Sequence, residues 1–298
     1  MNRSIRNLYL LAAALSMASC VAVAERHTEV ITRSWPASSI HRLELREING
    51  SVEVSAGPVD TISLVAHVRA RGVPANPSKE NKGYFESTVD GDTLSIGRRE
   101  NRQFRIPFLF STHDVLVDYE IKVPPQLDLE LRTVNGRIAT RGTAGEMDAV
   151  TVNGAIDLET AGNHEVSART VNGRVKAHFL ETFQGASFKT VNGGVKAVLP
   201  NTASFTCNLS QINGDFEAAF PLNIHSRPGS RRVSGEVNGG QHELRIVTVN
   251  GDVEIDSGSG SMAIPPIPPA PALPAAPQSV PNAPAPPATP PAHPSWST

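Results

Sequence analysis

The chain has 298 residues, a formal net charge of −2, 5% aromatic residues and two cysteines. A near-neutral balance removes the case for a nucleic-acid partner, which calls for a strongly basic surface, and two cysteines exclude a disulfide framework. The length suits one large β domain with unstructured ends.

Arg3 and Arg6 precede an apolar run from Leu8 to Ala18. That run is too short to cross a bilayer and reads as an export signal over 1–19. Ser16-Met17-Ala18-Ser19-Cys20 resembles a bacterial lipobox, which makes Cys20 the candidate lipidation site and the membrane a partner through a lipid anchor. Ala22-Val23-Ala24 is the competing cleavage site, with Glu25 as first mature residue. Either way the protein is exported to the cell envelope, associated with the outer membrane or the periplasm.

Residues 25–132 form an N-terminal β region, and 25–256 one continuous domain. Leu43 and Leu45 before Asn49-Gly50, with Val52 and Val54 after it, make a first rung. Strands are expected at 61–68, at 84–96 around Asp90-Gly91, and at 115–123. Two insertions interrupt them, 69–83 and 98–114. The second sets Arg98, Arg99, Arg102 and Arg105 beside Phe104, Phe108 and Phe110. This loop is either a flap or cap that covers apolar surface or a candidate interaction surface for a lipid headgroup zone, a glycan or an anionic partner.

From 133 to 256 Thr-Val-Asn-Gly recurs at 133–136, 151–154, 170–173, 190–193 and 248–251. Weaker copies stand at Glu47-Ile48-Asn49-Gly50, Gln211-Ile212-Asn213-Gly214 and Val233-Ser234-Gly235. A period of about 18–21 residues marks a solenoid. Apolar residues alternate with period two on both sides of each Asn, but with opposite parity, so the chain bends at Asn-Gly. Gly is expected at positive φ there. Thr and Asn repeat along with the apolar positions, which favours an all-β, single-stranded β-solenoid (β-helix-like) over a meander of hairpins. Stacking then aligns Asn135, Asn153, Asn172, Asn192, Asn213 and Asn250 into a structural hydrogen-bonded ladder. Eight rungs in chain order, about 4.8 Å apart, give a length of roughly 35–40 Å. The outward column after Gly reads Arg137, Ala155, Arg174, Gly194, Asp215, Glu236 and Asp252, and passes from basic to acidic. Cys207 falls on an inward position.

Ser257 to Ser261 is a flexible hinge, and the rest of 257–298 is a Pro/Ala-rich tail that builds no core. It is expected to be disordered and to act as a polyproline II spacer.

No catalytic, cofactor-binding or metal-binding motif stands out. Asp215 with Glu217 and Asp252 with Glu254 keep open the alternative of a glycan-active enzyme. No cofactor is called for. The unassigned partner is an envelope protein or a glycan, either for an adhesion-like scaffold or for a sensor or assembly partner in an envelope-stress system.

The leader, Glu47-Ile48-Asn49-Gly50-Ser51-Val52-Glu53-Val54, the Tyr119-Glu120-Ile121-Lys122-Val123-Pro124 strand and the closing Thr248–Ile255 segment resemble the bacterial putative-adhesin family, a domain-of-unknown-function group. The resemblance covers roughly 40–256. It implies a β-solenoid envelope protein and carries no catalytic residues.

Overall fold

The computed structural model describes residues 26–71, 84–98, 115–227 and 230–258. Every regular element among them is a strand, as the period-two pattern requires. Seven strands each run into a corner: β2 (Arg42–Arg46), β8 (Asp128–Arg132), β10 (Met147–Val150), β12 (Val166–Arg169), β14 (Ala186–Lys189), β16 (Phe205–Asn213) and β20 (His242–Asn250). Seven leave it: β3 (Val52–Ala56), β9 (Ile138–Thr143), β11 (Ile156–Thr160), β13 (Val175–Phe179), β15 (Val195–Leu199), β17 (Phe216–Ala218) and β21 (Val253–Ser257). The first group stacks in parallel into a pre-corner sheet and the second into a post-corner sheet. The fold is the expected β-solenoid, with two strands per coil.

The parity slip at each corner turns both sheets' apolar faces inward. Leu129, Leu131, Met147, Ala149, Val166, Ala168 and Phe188 from one sheet share a core with Ile138, Ile156, Leu158, Val175, Ala177 and Val195 from the other. Cys207 lies in this core, fully buried.

The order of the coils departs from chain order. Strands β20 and β21 lie between β14/β15 and β16/β17, so the last coil in sequence is the penultimate one in space. Val233-Ser234-Gly235 is no corner. It lies within β19 (Ser230–Val237), which pairs antiparallel with β16 and with β18 (Asn223–Arg227). This hairpin closes the open end of the pre-corner sheet, and Glu236 faces Thr206 there instead of joining the post-Gly column. The described residues therefore hold seven Asn corners.

At the other end, β1 (Arg26–Pro36) and β4 (Thr61–Arg71) extend the post-corner sheet antiparallel, beyond β7 (Val115–Val123). The pre-corner sheet ends in the hairpin of β5 (Phe85–Asp90) and β6 (Thr93–Arg98). Residues 69–71, expected in the first insertion, continue β4. Strand β6 pairs with β2 and β7 with β3, both in parallel. The pair β6/β7 is thus one more coil, and residues 99–114 join its strands at the point in chain order where other coils carry Asn-Gly.

Candidate functional site

The site grows out of the corner. Each Thr of Thr-Val-Asn-Gly turns inward and donates its hydroxyl to the Gly carbonyl of the neighbouring coil: Thr133 to Gly50 (3.2 Å), Thr151 to Gly136 (3.1 Å), Thr170 to Gly154 (3.0 Å), Thr190 to Gly173 (3.0 Å) and Thr248 to Gly193 (3.2 Å). Gln211 does the same to Gly251 at 2.8 Å. Glu47 fills this column in the first coil. Its carboxylate accepts from the Ile48 and Asn49 amides and from the Tyr119 hydroxyl, so a residue that only accepts stands where the Asn corners begin.

The Asn side chains form one chain of hydrogen bonds. Asn135 donates to Asn49, Asn153 to Asn135, Asn172 to Asn153, Asn192 to Asn172, Asn250 to Asn192 and Asn213 to Asn250, all at 2.8–2.9 Å. The order follows the coils, with Asn250 ahead of Asn213. All six bonds point the same way, so each interior Asn keeps one N–H and one oxygen lone pair free.

Gly is required at the interior corners for a different reason from the one expected. Gly136, Gly154, Gly173 and Gly193 do not have positive φ. A Cβ at each would instead collide with the Gly carbonyl of the neighbouring coil. Only the end corners combine this closeness with positive φ, 147° at Gly50 and 127° at Gly214.

Between the buried Thr and the Asn stands a residue that period-two reading passes over. Ile48, Val134, Val152, Val171, Val191 and Ile212 are 36–48% exposed, and Val249 is half-buried. Six of the nine large exposed hydrophobics among the described residues occupy this one position, so the exposure is a property of the corner and not random scatter. The signal was available in the sequence: an odd offset before Asn points outward, and that position carries Val or Ile at every Asn corner. The opposite edge of the coils exposes polar residues, among them Asn163, His164, Glu165, Glu181, Thr182 and Gln184.

Two rows flank the ridge. Three residues before each Asn stand Arg46, Arg132, Val150, Arg169 and Lys189, then Val247 and Ser210. Two residues after it stand Ser51, Arg137, Ala155, Arg174 and Gly194, then Asp252 and Asp215. Arg46, Arg132 and Arg169 lean outward to Glu44, Glu130 and Asp148. The bond from Arg132 holds the Glu130 carboxyl below its ordinary range.

Cys20 and Arg99, Arg102, Phe104, Arg105, Phe108 and Phe110 lie outside the described residues, and Arg98 ends β6. Asp215, Glu217, Asp252 and Glu254 share the outer face of the last two coils. There Asp252 accepts the Asp215 amide, and Glu254 is tied to Lys196 at 2.6 Å. No group of three metal-ligating side chains occurs among the described residues.

A family model described as Toastrack DUF4097 matches residues 36–256. No curated protein matches. Among solved structures, the chain is similar to a putative cell adhesion protein from Clostridium sporogenes ATCC 15579, at 9% identity over 78% of this chain and 100% of that one, with a TM-score of 0.44. It is also similar to a putative adhesin from Bacteroides fragilis NCTC 9343 (10% identity, 76% and 97% covered, TM-score 0.27). A third is a putative lipid binding protein from Parabacteroides distasonis ATCC 8503 (13% identity, 76% and 96% covered, TM-score 0.31). With well over half of its length matched by the family model, the chain belongs to the Toastrack DUF4097 family.

Proposed function

We propose that the protein is a non-enzymatic scaffold of the cell envelope, exported and lipid-anchored through Cys20, that offers its corner ridge to a partner. The observation that carries this reading is the ridge itself: aliphatic side chains held half in water at successive corners, beside amides with a free donor and acceptor each. None of these six side chains belongs to the buried core, and each keeps 36–48% of its surface exposed. A regular array of this kind suits recognition of an extended surface better than of a small molecule.

A photoreactive residue placed at Val152 or Val171 and activated in intact cells tests the reading. The expected result is a discrete adduct from the ridge and none from Glu181 on the opposite edge. Adducts from Glu181 alone would overturn it. Intact-mass analysis tests the anchor: an acylated mature chain beginning at Cys20 is expected, and a chain beginning at Glu25 without acyl mass would make the protein a free envelope protein.

A further inference from the structure

We propose that the ridge from Ile48 to Val191 is a docking edge for an anionic bilayer surface. This rests on the reading of the ridge as a binding face. Over these five corners the two flanking rows hold six cations, Arg46, Arg132, Arg169, Lys189, Arg137 and Arg174, and no carboxylate. Arg174 and Lys189, on opposite flanks of neighbouring corners, have no ion-pair partner among the described residues. Arg137 is held by Asp157 at 2.7 Å, and the carboxylates that steady the other arginines stand one row further from the ridge.

Aliphatic side chains in a line, between two cationic rails, match the layered chemistry of a lipid interface: methyls reach the acyl boundary while Arg and Lys meet the phosphates. Neutral glycans have no use for the rails. A soluble polyanion has no use for the methyls. The pattern also fixes an orientation, because the rails end where the last two corners begin. There the flanking rows turn to Val247, Ser210, Asp252 and Asp215, and an anionic surface repels that end. The docked stack therefore tilts, with Asn49 close to the membrane and Asn213 raised from it.

The test uses the full chain with Cys20→Ser, to remove the acylation site, and one added cysteine carrying an environment-sensitive fluorophore. Cys207 is buried and stays unlabelled. Vesicles of phosphatidylcholine with phosphatidylglycerol are expected to blue-shift a label at Val152→Cys and to leave labels at Glu181→Cys and Asp252→Cys unchanged. Phosphatidylcholine alone should give no shift. The triple variant Arg169→Glu, Arg174→Glu, Lys189→Glu should bind at least about tenfold more weakly, and high salt should act in the same direction. No shift at Val152, an equal shift on neutral vesicles, or an equal response to heparin would each overturn the bilayer as occupant. A ridge that crosslinks to a protein in cells while ignoring vesicles sinks this inference and leaves the ridge as a binding face. A ridge silent in both experiments sinks both.

Discussion

Asn172 donates an amide hydrogen to Asn153 across 2.8 Å, although 19 residues separate them in the chain. Asn192 donates to Asn172 in turn, at 2.9 Å. Both bonds are exposed, so water partly replaces them when a side chain is removed. Asn172→Ala should cost about 1–2 kcal/mol for its two bonds, and Asn213→Ala, which has one, about half of that. Denaturant midpoints at unchanged slope measure the difference. Equal losses at the two positions would mean that the ladder does not act as a connected chain.

The glycine column is less forgiving. Gly173→Ala drives a methyl into the Gly154 carbonyl, and the nearest atoms, Gly154 O and C and Ala155 N, are all backbone, which cannot swing aside as a side chain can. A loss of about 3 kcal/mol or more is expected, the upper end of overpacking. Gly91→Ala is the control, because its φ is 60° and nothing lies within 4 Å of the added carbon. Its cost is limited to the left-handed backbone, about 1–2 kcal/mol. Thermal melts of the two variants compare crowding with backbone strain directly.

Burial pushes the Cys207 thiol up to about 12. The native state then keeps its proton while the unfolded state, near 9, has lost it. The thiol's contribution is complete below pH 9 and falls as pH rises towards 12, by at most about 1.4 kcal/mol per pH unit. Native protein should resist alkylation at Cys207 and react on unfolding. Stability measured from pH 8 to 10.5 should fall more steeply in the wild type than in Cys207→Ala.

Tyr119 donates its hydroxyl to buried Glu47 at 2.8 Å. Tyr119→Phe keeps the ring and its edge-on contact with Phe85 but removes a bond to a carboxylate. About 1.5–3 kcal/mol of stability should go with it. Calorimetry on the single variant checks this, and a loss below about 0.5 kcal/mol would show that water replaces the hydroxyl.

Much of this fold is written in the chain because one corner is repeated nearly verbatim. Thr, Asn and Gly each answer a need created by the neighbouring coil, so their recurrence gives away the parallel stack. Coil order is hidden for the same reason. Asn250 and Asn213 offer Asn192 identical chemistry, and nothing local says which one sits next to it. Strand β1 carries no motif, since an antiparallel edge strand needs only alternation and a long partner. The ridge escaped a core-first reading because Val is counted as interior by default, and only the parity of its offset shows otherwise.

The placement of the last coil sets an order of assembly. Coils from Asn135 through Asn192 can zip up as the chain emerges, the coil of Asn135 on that of Asn49 and each later one on its predecessor. The coil of Asn213 comes next in synthesis, yet its seat beside Asn192 belongs to residues not yet made. The coil of Asn213 finds its native neighbour only when 242–257 are in place between it and the coil of Asn192. A chain that stops short of His242 lacks an interior layer, so it should be trapped by quality control as an unfinished protein, not tolerated as a shorter one.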